Sequence, residues 1–523
     1  MKARRYAPHK RASRIPWWPV VLAVAAAGAL ATLLGAVSPA GADEIRDRAR
    51  RLILDSFVVD GNLSPATWQV NPDCGAGDAL GCWDNVSVPT FTVIRDRMGV
   101  DLLSTSGNIR TSAQRRVKRV LTSNDIDEAR WANHVGVIRY IQKPGAVDIA
   151  GVANPLGNTA LLARNRAQAW FDDGIRIVQL AYNANENARL VTAAFDSRYG
   201  GGSNQDAGVR INGTGNCGGA GAPPCVPLTP LGRQLVDAML DRFMIVDLSH
   251  VGRATALEVA RIAKDRNRPV IANHANARAV YADTVSRNHD DDVICAIART
   301  GGVVGVTPIR FMLSNSPLNT GGKWANRELL VDHINHIARD VDCRDDAGRR
   351  IRMIEHVAVA SDSYVNGMPT PSTWLNVRGF NDRDRWMDLA ELMIRRHGYS
   401  DSDIRRVFGA NLMRVYRAAL PGLTRPVLPL DAGNVEPALP RAPRITWSPP
   451  QAQRVAPATA YYVYLYRRDA AGNRVFMTVL PAANQTQAQL PRLRANGRYS
   501  LFVRATNGAQ RVNSTWFDFR VRG

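Results

Sequence analysis

Eight short apolar runs, spread from about residue 44 to 423 and separated by amphipathic stretches, constrain this chain most. They read FVVDG (57–61), VDLLSTSG (100–107), VGVIRYIQ (135–142), IRIVQLAYN (175–183), FMIVDLSHV (243–251), PVIANHA (269–275), GVVGVTPI (302–309) and HVAVASD (356–362). Most are rich in Val and Ile and do not alternate polar with apolar, the pattern of strands buried on both faces. Between them, TPLGRQLVDAMLDRF (229–243) and DVICAIART (292–300) place apolar residues at helical spacing. Eight βα units in residues 43–423 predict an α/β protein of (β/α)8 barrel type. An open, doubly wound sheet has the same local periodicity and is the alternative.

A Pro-rich linker, assigned to 424–440, interrupts this pattern. Beyond it, residues 441–523 switch to aromatic and β-branched runs: RITWSPP, YYVYLYRR, RVFMTVL, YSLFVRA and WFDFRV. Short strands between turn signals predict a small all-β, immunoglobulin-like sandwich. Trp447, Leu493, Tyr499, Val503, Ala505 and Asn507 resemble a fibronectin type III module, with Leu493 and Tyr499 at tyrosine-corner spacing. Such a module implies binding or spacing rather than catalysis.

The 523 residues include 67 Lys and Arg against 46 Asp and Glu, for a net charge of +21. With 45% hydrophobic and 22% charged residues the composition is globular, which excludes a disordered chain. Six bases (Lys2, Arg4, Arg5, Lys10, Arg11, Arg14) precede the first acid, Asp43, and residues 15–42 carry no charge. Ala40-Gly41-Ala42 follows the apolar stretch Trp17 to Val37. Residues 1–42 therefore read as a secretory signal, with an uncleaved membrane anchor as the alternative. Both put the rest of the chain outside the cytoplasm, periplasmic or extracellular, where nucleic acid is not an expected partner. Residues 424–523 hold 14 arginines against four acids, which leaves only +5 for the barrel. The C-terminal region is thus expected to dock on an anionic envelope surface, lipid or wall polymer. The six cysteines suit disulfides in such a compartment, with Cys74–Cys82, Cys217–Cys225 and Cys295–Cys343 the preferred pairs.

Chemistry-bearing residues close several of the runs. His250 ends VDLSH, His274 ends VIANH, Asp362 ends VAVASD and Asp60 ends FVVD, with Gln142 and Tyr182 at two more ends. A barrel gathers strand ends on one face, and two imidazoles with a carboxylate there suit a zinc ion. His333, His336 and His356 read instead as structural, and Asp290-Asp291-Asp292 as the start of a helix.

In order along the chain, TPLGRQLVDAM, MIVDLSHVG, PVIANHANARAV, RNHDDDVICAIARTGGVVGV, DHINHIARD, HVAVASD and GYSDSDIRRVFGANLMRVY resemble the membrane (renal) dipeptidase family of the amidohydrolase superfamily. The resemblance implies a (β/α)8 barrel and zinc-dependent cleavage of dipeptides, with a metal-bound hydroxide attacking the peptide carbonyl. It also implies that His250 and His274 ligate the second metal, that Asp362 serves the first metal and proton transfer, and that Arg278 holds the substrate carboxylate.

Departures from the pattern reduce the metal centre. Asn62 and Ser64 stand where the family has a histidine and an aspartate ligand. Gln142 replaces the bridging glutamate, and Tyr182 a histidine that steadies the tetrahedral intermediate. With one carboxylate left, two divalent ions would be poorly compensated. The expectation is one zinc held by His250, His274, Asp362 and Gln142, with Tyr182 donating to the oxyanion and Asp60 supporting from behind. Two alternatives remain: a catalytically inactive barrel acting as an envelope binding or scaffold protein, and a barrel hydrolase of another amide or a lactone.

Overall fold

The computed structural model describes residues 39–64, 93–105, 117–141, 159–181, 210–211, 215–216, 228, 230–281, 287–313, 325–364, 384–423, 438–449, 452–453, 457–469, 473–508, 511–514 and 517–522. Contacts divide the chain into residues 1–48 and 49–523; of the first unit only the opening of helix α1 (Pro39–Asp55) is described. No helix among the described residues is long and apolar enough to cross a membrane.

Each of the eight apolar runs contains a strand: β1 (Val58–Asp60), β2 (Val100–Thr105), β3 (Val135–Ile141), β4 (Ile175–Gln179), β5 (Ile245–Asp247), β6 (Ile271–Ala272), β7 (Val303–Val306) and β8 (Val357–Val359). They pair in parallel in exactly the order of the sequence, β1 to β8, which excludes the doubly wound alternative, where strand order reverses at a switch point. The circle closes beyond β8. Leu63–Ser64 pairs in parallel with Ser363–Tyr364, and the Gly61 amide donates to the Val359 carbonyl at 3.4 Å.

One apolar cluster takes a side chain from every strand: Val59, Leu102, Tyr140, Ile177, Ile245, Ile271, Val303 and Ala358. Burying these groups removes their apolar surface from water at about 25 cal/mol per Å². Helices alternate with the strands, including α2 (Ser123–Trp131), α3 (Thr159–Asp172), α4 (Pro230–Leu240), α5 (Arg253–Asp265), α6 (Asp291–Arg299), α7 (Ala325–Asn335), α8 (Arg385–His397) and α9 (Asn411–Ala419). Thr122 and Asp125 form a reciprocal capping box at the start of α2. Asp290 stands at the N-cap position of α6 without a side-chain capping bond, and the first turn carries Asp291 and Asp292, favourable at the positive end of the helix dipole. α9 adds Leu412 and Tyr416 to the barrel cluster. A disulfide joins Cys295 of α6 to Cys343; the other two expected pairs lie outside the described residues.

The C-terminal strands β9 (Ala460–Arg468), β10 (Arg474–Ala483), β11 (Arg498–Thr506) and β12 (Phe517–Val521) form an antiparallel sheet in the order β12-β11-β9-β10. A second, two-stranded sheet, Arg444–Thr446 with Gln487–Gln489, faces the same apolar core of Trp447, Leu493, Tyr499, Val503 and Ala505. The Arg494 amide donates to the Tyr499 hydroxyl at 3.1 Å, satisfying a phenol that burial would otherwise leave without a partner.

Candidate active site

The strand ends build the site in two halves. On the β5–β6 side, Asp247 ends β5 fully buried, and its Oδ1 accepts from the Ser249 amide (2.9 Å), the Ser249 hydroxyl (2.8 Å) and the Asn273 amide (2.8 Å). Ser249 Oγ then accepts from the His274 amide at 3.0 Å. One carboxylate oxygen and one hydroxyl therefore fix the backbone that carries both histidines. His250 adopts φ 65°, a left-handed conformation that a non-glycine residue holds only where its surroundings enforce it. The result is convergence: His250 Nε2 and His274 Nε2 lie 3.0 Å apart, with ring centroids 5.0 Å apart. Burial, then the neighbouring His250 and Arg287, hold His274 well below the ordinary imidazole range, so its ring is neutral.

On the β1–β8 side, Asp60 repeats the device. Its Oδ1 accepts from the Asn62 amide (3.2 Å) and the Ser361 amide (2.8 Å), tying the turns that carry Asn62 and Asp362. Asp362 also has a left-handed backbone, φ 42°. Asn62 Nδ2 donates to Asp362 Oδ1 at 2.6 Å. Beneath both halves, Ser104 of β2 donates to the Gly61 carbonyl and accepts from Asn273 Nδ2 at 3.2 Å. Burial pushes Asp60, Asp247 and Asp362 up to about 6 each; hydrogen bonds pull back the first two, and Arg287 opposes the rise at Asp362.

Of the residues expected at the site, His250 and His274 are brought together, and Asp60 supports the strand-end backbone. Asp362 meets Asn62. Among the described residues no group of three His, Cys, Asp or Glu side chains could hold a metal ion, so Asp362 does not complete a ligand trio with the two histidines. The reason is local: Asp362 is turned onto the Asn62 amide across the barrel closure. Gln142 and Tyr182 lie outside the described residues. A two-metal centre does not fit, because a neutral amide occupies the β1 position and engages Asp362. A single ion fits the chemistry of the histidine pair, two converging nitrogens of which His274 is kept neutral by burial.

Arg278 is partly exposed and its Nε lies 3.7 Å from Asp290 Oδ1. Two buried cations act on the site: Arg385 on Asp60, and Arg287 on Asp247, His274, His289 and Asp362. A parallel bridge sets Ala277 beside His289, and the His289 amide donates to the Asn276 carbonyl at 2.8 Å. Arg287 lies two residues before the bridged His289 and is buried. Asp247, Ser249 and Asn273 were also absent from the expected site. The one sequence sign of them is the repeated Val-Asp at the ends of β1 and β5.

The structural reading of His333 holds a pH consequence. On α7 its Nδ1 accepts from the Ala277 amide at 3.2 Å, and burial lowers it to about 3. A histidine depressed on folding contributes stability above its unfolded pKa of 6.5 and loses it as pH falls toward the folded value. Between pH 7 and 4.5, wild type should lose about 3 kcal/mol more than His333→Gln, at 1.4 kcal/mol per pKa unit. Urea unfolding of both proteins at the two pH values checks this; equal losses would contradict it.

Residues 222–421 match the profile of the family described as Membrane dipeptidase (Peptidase family M19). Dipeptidase tcpJ of Claviceps purpurea (strain 20.1) is 28% identical over 190 residues, 36% of this chain and 38% of the relative. Dipeptidase verJ of Clonostachys rogersoniana is 32% identical over 173 residues, 33% of this chain and 36% of the relative. The chain thus matches well under half the length of these curated relatives. Among solved structures, an amidohydrolase from Pseudomonas aeruginosa is 18% identical with a TM-score of 0.47, covering 71% of this chain and 99% of that one. The barrel itself is established by the strand order above. The chain resembles the membrane dipeptidase family, over the half of the barrel that carries His250, His274, Arg287 and Asp362.

Proposed function

We propose that the chain is a dipeptidase-like hydrolase that cleaves small peptides bearing a free carboxylate, using one metal ion held at the His250–His274 pair. The observation that carries this reading is the convergence of two buried imidazole nitrogens on adjacent strand ends, 3.0 Å apart. Zinc suits nitrogen donors; bound there, it supplies Lewis acidity and water acidified to a pKa of about 7. Asp247 and Ser249 hold the backbone that carries the two rings. Asp362, near pH 6 and with Oδ1 engaged by Asn62, takes the proton at Oδ2. Gln142 is assigned a further oxygen ligand and Tyr182 the donor to the developing oxyanion.

Arg287 is assigned the substrate carboxylate in place of Arg278, because it is a buried guanidinium whose charge acts on both His274 and Asp362. Arg287→Gln should raise KM by about 10- to 100-fold, the loss of one charge-assisted pair. Arg278→Gln should leave KM within about twofold, as expected for a surface pair. Steady-state kinetics on both variants separates the two assignments.

Export is proposed on the basic, apolar and small-residue order of residues 1–42, with the Cys295–Cys343 disulfide in support. The basic region 424–523 is proposed to dock on an anionic surface in that compartment.

A second reading, an inactive barrel kept for binding, is favoured by one observation. The carboxylate left at the β8 end is tied to a neutral amide rather than grouped with the histidines. A metal-supplemented assay over a dipeptide panel, including D-residues at the second position, decides between them. Metal-dependent turnover lost in His250→Ala supports the hydrolase; no turnover with any metal supports the binding protein.

A further inference from the structure

Exposed large hydrophobic side chains are concentrated in one place on the described surface. Of five, three are consecutive: Val475 (42% exposed), Phe476 (54%) and Met477 (42%). They lie near the start of β10, which among the described residues is an edge strand whose ladder partner is β9. Where the two strands meet, Asp469 accepts from the Asn473 amide at 2.8 Å. Bare apolar edge strands are an association hazard that sequences ordinarily blunt with charge. Here the charges flank the apolar tip instead of interrupting it: Arg467 pairs in register with Val475, and Arg468 with Arg474.

We propose that the β9–β10 hairpin is a membrane-docking tip, which seats Val475, Phe476 and Met477 at the headgroup boundary of an anionic bilayer. Charge complementarity selects this occupant. The tip itself is +1, with Arg468 and Arg474 sharing Asp518 and Arg467 beside Asp469, and it projects from a region of 14 arginines and four acids, which supplies the wider positive field. Each arginine near an anionic membrane surface adds attraction, and the apolar groups bury in the interface. A second copy of the chain would bring like charge to like charge. A wall glycan would need a platform of open aromatic faces for its sugar rings, but apart from the exposed Phe476 the rings of Tyr464, Tyr466 and Phe502 are engaged with each other or with arginine. Tyr464 stacks on Phe502 at 4.7 Å, Arg504 lies over Tyr464 at 4.6 Å, and Tyr466 meets Phe476 edge-on at 5.4 Å. The proposal specifies the anionic partner named above and does not depend on hydrolysis, so its failure leaves the hydrolase reading standing.

The test places an environment-sensitive dye on the whole purified chain through Phe476→Cys or, as control, through exposed Ser448→Cys, two residues past the Arg444–Thr446 strand. Vesicles are phosphatidylcholine alone, or phosphatidylcholine with phosphatidylglycerol. The expected result is a blue shift at position 476 with the anionic vesicles, weakened by salt, and none at 448. Val475→Ser, Phe476→Ser and Met477→Ser together, with the dye on Arg474→Cys, should reduce vesicle affinity at the tip by about tenfold or more. No shift at 476, or equal shifts at 476 and 448, overturns the proposal. Retention on isolated wall polymer without a vesicle shift overturns it in favour of a glycan. A concentration-dependent shift at 476 without vesicles overturns it in favour of self-association.

Discussion

His274→Ala is expected to lower kcat/KM for dipeptides by about 10³-fold, since losing several kcal/mol of Lewis-acid stabilisation corresponds to that factor. His274 is fully buried at the end of β6, its amide is held by Ser249, and its Nε2 faces His250. Removing the ring deletes one of two converging donors and leaves His250 alone on its left-handed turn. Bound zinc should fall in parallel with activity. Circular dichroism and the unfolding midpoint distinguish this from misfolding: the variant keeps its secondary structure while losing metal and turnover. A folded variant that hydrolyses dipeptides at the wild-type rate would move the chemistry away from β5 and β6.

Gly409→Ala is expected to destabilise the barrel by about 3 kcal/mol, the upper range for forcing a group into a filled core. Gly409 lies in the turn 406–410 leading into α9, and a Cβ there would overlap the Phe57 carbonyl oxygen at the start of β1. The relief would have to come from β1 or from α9, whose Leu412 and Tyr416 sit in the barrel cluster. Neither can move without disturbing the closure. Gly348→Ala is the comparison: φ is +75° but nothing lies within 4 Å, so only backbone strain of about 1 kcal/mol applies. Urea unfolding of the two variants should separate them clearly, and equal midpoints would contradict the packing described for α9.

The eight strands were legible because parallel strands covered on both faces must be apolar at nearly every position, and Val and Ile mark them without ambiguity. Closure was not legible, because it depends on Asp60 and Ser361, 301 residues apart, and on the pairing of Leu63–Ser64 with Ser363–Tyr364. The histidines could be read as site residues because they terminate strands. The burial of Arg287 could not. The resemblance pointed to Arg278, which is partly exposed, while Arg287 is buried two residues before His289, whose bridge to Ala277 no local pattern announces. The Asn62–Asp362 hydrogen bond was hidden in the same way. The resemblance implied a replaced ligand at 62, and only the fold shows that the Asn62 amide engages the carboxylate at 362. Asp247 left only the Val-Asp that also ends β1, because two of its three hydrogen bonds come from backbone amides, which leave no trace in a motif of side chains.

The central claim, one metal on the His250–His274 pair of a hydrolytic barrel, is tested most directly by measuring zinc bound per purified chain while following dipeptide hydrolysis. The account predicts close to one equivalent, with turnover that appears as zinc is added and disappears on chelation. No bound zinc and no turnover, or two equivalents per chain, would contradict it.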